Sequence, residues 1–430
     1  MNPSSDPEVR ALRRVVLASF IGTAIEWYDF FLYNTAAALV FDKLFFPKLA
    51  PANATLAAFA TYSVGFFARP LGGVVFGHFG DRMGRKSMLV ITLMMMGVST
   101  FLVGLVPTYS SIGAAAPLLL VILRFIQGFG VGGEWGGAVL MAAEHSPQKK
   151  RGLSASWPQA GVPAGLLLAN GVFATCNWLF GAQFLSWGWR VPFLLGIGLV
   201  GVGLFIRLRV LETPAFAKVR ESSGVAGMPI LEVLRSHLRS VVLAMGARFA
   251  ENVSFYLFTA WILTYITKQL GLPKDVALQG LLAASALEFF TIPAFGALSD
   301  RLGRRPVYML GAVLTGLFAF PFFWLIDLRS TPVIWIALIL VLAVAHAAMY
   351  GPQAAFFAEL FGTKVRYSGA SLGYQLSSAL AGGLAPIIAG GLLRMSQDRP
   401  WSVALYLVLS SVITLISVSL ASETSRSDLG

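Results

Sequence analysis

The chain has 430 residues, 57% of them hydrophobic and 12% charged, with a formal net charge of +12 and a mean hydropathy of +0.74. So little charge cannot cover the surface of a water-soluble protein of this length, which excludes a soluble domain and leaves lipid as the solvent. The basic residues are spread over many short loops rather than gathered in one stripe, which excludes nucleic acid as the partner.

Lipid offers no partner for backbone N–H and C=O groups, so each spanning segment must be helical. Twelve segments of sufficient length, about 20 apolar residues or more, are predicted. They lie at about 15–40, 54–79, 87–106, 116–142, 152–179, 189–208, 239–267, 276–298, 306–327, 333–360, 367–393 and 401–422. The expected fold is an all-α membrane protein with twelve transmembrane helices in two pseudo-symmetric six-helix bundles. The chain then divides into a tail (1–14), a first bundle (15–208), a polar linker (209–238), a second bundle (239–422) and a last tail (423–430). Within the linker, the stretch 230–239 has helical apolar spacing and is expected to lie along the membrane surface.

With the N-terminus placed inside, about two-thirds of the Lys and Arg residues, Arg207 among them, fall in inward segments. That puts both termini in the cytoplasm and the chain in the cell membrane, with its basic loops against anionic lipid headgroups. Cys176 is the single cysteine, so no intrachain disulfide is expected. The short basic start and the charges inside the first span do not read as a cleaved signal peptide.

The turn Gly77-His-Phe-Gly-Asp81-Arg82-Met-Gly84-Arg85-Lys86 recurs half a chain later as Gly296-Ala-Leu-Ser-Asp300-Arg301-Leu-Gly303-Arg304-Arg305. Glu144 and Arg151 after the fourth span recur as Glu359 and Arg366 after the tenth, and Glu26 has a counterpart in Glu251. A repeated half with the same charged turn indicates a duplicated membrane unit, the architecture of a transporter. The turn has two readings. It is a topology signal, or, with Asp81, Arg82, Arg85, Asp300, Arg301, Arg304, Glu144, Arg151, Glu359 and Arg366, a conformational latch. The buried charges are not symmetric: Arg69 aligns with Glu288 and Arg124 with Ile339.

The acids within spans are Glu26, Asp29, Glu134, Glu251 and Glu288, and the bases are Arg69, Arg124 and Arg248. Charges at that depth are costly and line a cavity or pair. The surplus of two acids calls for protons, a cation or water. Glu26 and Asp29 share a helix face and titrate as a coupled unit; with Glu134 they are the proton-coupling candidates. Arg124 and Arg69 are the candidate carboxylate clamps, because a guanidinium fork donates two parallel hydrogen bonds; the alternative is that they are structural partners of the acids. Arg248 and Glu251, three apart, can pair within the seventh span. Arg124 and Glu134 lie roughly 15 Å apart along the fourth span and each needs a partner elsewhere.

Tyr28, Tyr33, Asn34, Arg248, Glu251, Asn252, Tyr256 and Gln353 complete the substrate-binding candidates. Aromatic rings near acids suit a quaternary ammonium, or serve as packing. For His346, a hydrogen-bonded structural role is expected ahead of a proton relay. Gly128, Gly132 and Gly136 form a smooth packing face. The dinucleotide fingerprint that Gly128-Phe-Gly130-Val-Gly132-Gly133 formally matches is discounted, since no strand precedes it. The sequence holds no metal-ligand cluster, phosphate loop or nucleophile–base arrangement, so no metal, cofactor, ATP drive or enzyme activity is expected.

The repeated turn resembles the signature loop of the major facilitator superfamily, and Arg124-Phe-Ile-Gln127-Gly128-Phe-Gly130 is similar to its fourth-helix motif, associated with proton-coupled members. Gly22-Thr-Ala-Ile-Glu26-Trp27-Tyr-Asp29-Phe, Phe67-Ala-Arg69-Pro70-Leu-Gly72-Gly73 and Gly132-Gly133-Glu134-Trp135-Gly136-Gly137 resemble the metabolite–proton symporter family. So do Trp189-Arg190-Val-Pro192-Phe193 and Glu212-Thr213-Pro214-Ala-Phe216. The antiporter-type glycine–proline motif is poorly matched by Gly161-Val-Pro163-Ala-Gly165. The resemblance implies the major facilitator fold and proton-coupled uptake of a small solute such as betaine or proline, shikimate, or a di- or tricarboxylate. The partners are then that solute, the proton and membrane lipid, and the chain is expected to be a monomer. A proton-coupled antiporter or exporter on the same scaffold, and a membrane sensor that moves nothing, are the rival readings.

Overall fold

The computed structural model describes residues 7–208, 212–213, 228–427 and 429. Most of the predicted linker, with residues 214–216 of one motif, lies outside these, as do 1–6 of the first tail and 428 and 430 of the last.

Among the described residues, eleven helices are long and apolar enough to cross a membrane. The remaining predicted span, 54–79, falls within a helix of 33 residues, ample for the same crossing. In the first half these are α1 (Pro7–Ala36), α2 (Pro51–Met83), α3 (Arg85–Leu105), α4 (Ala115–Glu144), α5 (Arg151–Phe180) and α6 (Val191–Leu208). In the second they are α7 (Leu238–Gln269), α8 (Lys274–Leu302), α9 (Arg304–Asp327), α10 (Thr331–Glu359), α11 (Arg366–Met395) and α12 (Trp401–Leu420).

The packing repeats between halves. In the first, α1 lies on α5, α2 on α4, and α3 on α4 and α6; in the second, α7 lies on α11, α8 on α10, and α9 on α10 and α12. The halves meet through α5 against α8 and α2 against α11, a further symmetric pair. The glycine face of α4 makes the α2–α4 approach possible. A Cβ on Gly128 would strike the backbone of Gly65, and one on Gly132 the backbone of Arg69 and Gly73.

The duplicated turns also repeat in backbone. Gly84 has φ +107° and Gly303 φ +102°, in the region that L side chains avoid. Each glycine separates two long helices and lets the chain reverse within one residue.

Regular α-helix gives way to π-helix mainly in the second half, at Leu257–Trp261 and Tyr265–Gln269 in α7, Leu340–His346 in α10 and Ser378–Gly383 in α11. Such segments redirect side chains and frequently mark functional sites. The amphipathic linker stretch forms a short helix, Pro229–Ser236. It docks on α2 and α11, one helix from each half, with Pro229 and Val233 buried.

Candidate functional site

The face of the molecule carrying the duplicated turns is closed by two matching clusters. The Asp81 carboxylate accepts hydrogen bonds from the backbone N–H groups of Tyr367 (3.2 Å) and Ser368 (2.8 Å) in the first turn of α11. The Asp300 carboxylate accepts from Gly152 (2.7 Å) and Leu153 (2.9 Å) in the first turn of α5. A helix N-terminus has unsatisfied N–H groups and the positive end of its dipole, so a carboxylate is held there by both. Each aspartate thus caps a helix of the opposite half.

Arginines surround each cap. Arg85 lies 3.6 Å from Asp81 and 3.4 Å from Glu144, and Arg366 lies 2.9 Å from Glu144. In the related cluster Arg304 lies 2.8 Å from Asp300 and 3.1 Å from Glu359, and Arg151 lies 2.9 Å from Glu359. Glu144–Arg366 and Arg151–Glu359 both join the two halves. Eight of the ten residues grouped in sequence come together here. The exceptions are Arg82 and Arg301, which are exposed and stand outside both clusters.

The last tail ties into the same face, which no motif signalled. Glu423 accepts from the backbone N–H groups of Arg304 (2.9 Å) and Arg305 (3.0 Å) at the start of α9. Burial pushes its carboxyl up, but the N–H groups of Arg304, Ser425 and Arg305 outweigh this and hold it below the usual glutamate value. Thr424 donates to Glu359 (2.7 Å). The Ser427 carbonyl accepts from Arg151 (3.0 Å), and the Leu429 carbonyl from Arg366 (3.2 Å).

Deeper in the first half, Glu26 and Asp29 are buried, at 4% and 5% exposure. Neither Asp29 oxygen, nor Glu26 Oε2, has a hydrogen-bond partner among the described residues. Both side chains line a small cavity with Arg69, Arg124 and Gln127, leaving about 10 Å³, room for roughly one water. The Arg69 guanidinium lies 4.6 Å from the Phe66 ring and 4.8 Å from that of Phe30. Arg124 lies over the Tyr33 ring at 4.6 Å and reaches Gln127 Oε1 at 3.4 Å.

Glu134 is held differently. Arg207 of α6 grips both of its carboxylate oxygens, and Thr92 donates to one of them at 2.9 Å. The expectation that Arg207 belongs to an inward loop is corrected here: it lies in the last turn of α6, and its side chain folds back into the bundle at 3% exposure. The surplus of intramembrane acids therefore falls from two to one. Of the other first-half candidates, Tyr28 donates to the Pro192 carbonyl (2.6 Å) and Tyr33 pairs with Thr61 (2.8 Å); Asn34 is half-buried.

A second small cavity, also of about 10 Å³, lies between the halves. Trp27 and Val162 face Arg248, Glu251, Asn252 and Tyr256 across it. Arg248 pairs with Glu251 at 3.1 Å, as their spacing predicts, and donates to Ser378 and to the Tyr374 carbonyl. Its guanidinium lies 3.3 Å from the Tyr374 ring centre, and Trp135 of the first half stacks on that ring at 3.6 Å. Gln353 donates to Glu251 (3.2 Å) and Tyr308 (2.7 Å). His346 is hydrogen-bonded, as expected, but to carboxylates on both sides: Nε2 to Glu251 at 3.1 Å and Nδ1 to Glu288 at 2.5 Å. Three helices, α7, α8 and α10, supply this cluster, so no spacing along the chain reveals it.

Comparison with known proteins places this geometry. The family model described as Major Facilitator Superfamily matches residues 19–386 and 279–426. The shikimate transporter of Escherichia coli (strain K12) is 43% identical, over 96% of this chain and 95% of its own length. The proline/betaine transporter of Salmonella typhimurium is 37% identical, over 97% of this chain and 85% of its own. Among solved structures, the proton:xylose symporter XylE bound to 6-bromo-6-deoxy-D-glucose has the same fold, with a TM-score of 0.81 over 98% of each chain at 16% identity. The chain belongs to the major facilitator superfamily, among the relatives of the shikimate and proline/betaine transporters.

Proposed function

We propose that the chain is a proton-coupled symporter that takes up a small carboxylate-bearing solute: betaine or proline, shikimate, or a dicarboxylate. The observation that carries this reading is the pair of cross-half aspartate caps closing one face, with buried charged groups lining cavities behind it. Such contacts can be made and broken as units, which alternating access by rocking of two repeats requires. The positive-inside rule makes the capped face cytoplasmic, with both termini there. The rocking bodies are residues 15–208 and 239–422, joined by 209–238, working as a monomer. Arg69 and Arg124 supply fork donors for a carboxylate, beside the acids of α1. The names of the relatives, shikimate and proline/betaine transporters, agree with that solute chemistry.

The purified chain in liposomes, offered radiolabelled shikimate, glycine betaine, proline and succinate, tests this. An inward proton gradient should drive accumulation of at least one of them, and a proton uncoupler should abolish it. Uptake indifferent to the uncoupler overturns proton coupling, and proton exit during uptake favours the antiporter. No movement of any member of the panel favours the sensor.

A further inference from the structure

Glu251, His346 and Glu288 form a buried cluster at the edge of the cavity between the halves, each 2% exposed or less. The imidazole stands between two carboxylates. Nδ1 is 2.5 Å from Glu288 Oε1, and Nε2 is 3.1 Å from Glu251 Oε1. A neutral imidazole has one N–H and one lone pair, and an ionised carboxylate only accepts. With both glutamates ionised and His346 neutral, one of the two contacts would set lone pair against lone pair. The geometry therefore needs one more proton than the neutral histidine supplies.

Charge bookkeeping across the membrane interior gives the same count. In the first half, Glu26, Asp29 and Glu134 are matched in number by Arg69, Arg124 and Arg207. In the second, Glu251 and Glu288 face one arginine, Arg248. Counted by half, the surplus acid falls in the second half, which holds His346, and one proton on the imidazole neutralises that group. Among the described residues, no further cation is paired with Glu251 or Glu288, and Arg69 of α2 reaches Tyr256 at the cavity wall instead. Arg248 of α7 is already paired with Glu251. Tyr350 and Gln353 come from α10, and Tyr308 of α9 meets Gln353. Tyr374 of α11 touches Tyr350 at 3.5 Å, and α1 contributes Trp27 across the cavity. His346 also closes the π-helical segment of α10, a distortion that frequently marks functional positions.

We propose that His346, clamped between Glu251 and Glu288, carries the proton that moves with the solute. Loading is H⁺ plus imidazole giving imidazolium; release to the opposite side is the reverse, and no other bond changes. The loaded cluster, with Arg248, is neutral, and the unloaded one carries a net negative charge. A solute carboxylate entering the cavity meets repulsion in the second case and not in the first, so solute binding is favoured only after protonation. Asn252 lines the same cavity, and its side-chain N–H₂ has no partner among the described residues, so it can donate a further hydrogen bond to solute there. This inference rests on the symport reading above and assigns its proton to a place.

The experiment uses the full chain in liposomes with labelled shikimate and glycine betaine. Accumulation driven by an inward pH gradient is compared with counterflow at equal pH, which needs no net proton movement. In Glu288→Gln, which leaves the cluster neutral without a proton, gradient-driven accumulation should fall about tenfold or more, to the equilibrium level, while counterflow persists with a flattened pH profile; in His346→Gln, which leaves the cluster negative, accumulation and counterflow should both fall. If His346→Gln does not fold, Glu288→Gln decides alone, since it removes one clamp charge and keeps a similar shape. Accumulation that stays dependent on the pH gradient in folded variants overturns the proposal and leaves symport standing. Wild-type accumulation indifferent to the pH gradient overturns symport and the proposal together.

Discussion

Arg207 shows how one side chain changes the electrostatic account. Burying a charge is tolerable when a partner and hydrogen bonds meet it, and removing one partner leaves the other stranded at a cost of about 3–5 kcal/mol. Arg207→Met should therefore lower the thermal midpoint of the detergent-solubilised protein sharply, and the double variant Glu134→Gln with Arg207→Met should recover most of the loss. Asp29 is the opposite case. Its two oxygens are buried with no hydrogen bond inside 3.5 Å among the described residues, so Asp29→Asn should leave stability unchanged or raise it by up to about 2 kcal/mol, read as the thermal midpoint. The sequence placed the acids correctly because charged letters inside apolar runs are visible at once. It misplaced Arg207 because a hydropathy window fixes where a helix ends, not which way a long terminal side chain turns. His346 was readable as a residue, but its two carboxylate partners depend on the packing of three helices.

At the scale of elements, the approach of α2 to α4 rests on backbone against backbone. A methyl at position 132 meets Arg69 and Gly73 main chain, which cannot rotate away. Gly132→Ala should thus cost about 1–3 kcal/mol by overpacking, read as a fall in thermal midpoint, whereas the same change at exposed Gly171, with open space around it, should cost far less. The tail contact on α9 has a defined pH sign. The Glu423 carboxyl is held below its ordinary value, so its stabilisation is fully present above the unfolded value and is lost as pH falls through the lower, folded one. Glu423→Gln should weaken the cap by under about 1 kcal/mol at neutral pH, and the difference from wild type should vanish in acid. Helix existence was legible here because apolar runs of spanning length permit nothing else in lipid. The π-helical segments were not, since they arise from packing rather than from a local signal.

For the whole molecule, the two halves and their repeated turns were legible from internal similarity, and so was the pairing of turn with acid and arginine. What the repeat could not show is that each aspartate reaches across to the other half, because that contact joins residues far apart in the chain. We propose that the state of the molecule depends on this contact. Losing charge at Asp81 removes charge-assisted bonds, each contributing about 1.5–3 kcal/mol. Asp81→Asn should shift the balance between closed and open states of the capped face at least about tenfold. Spin labels replacing exposed Arg82 and Lys364, one in each half, should show this as a longer distance between them, with the protein still in the membrane and transport lowered. An unchanged distance distribution and normal uptake kinetics would reject the latch.

The central claim, that proton and solute cross together, is tested most directly inside a closed vesicle. Liposomes holding the purified chain and a lumenal pH dye start with equal pH on both sides, with voltage clamped by potassium and valinomycin, and shikimate or glycine betaine is added outside. Coupled entry predicts that the lumen acidifies in step with labelled solute, and that it does so only when the protein is present. Solute entry at the same rate with a flat pH trace would contradict it.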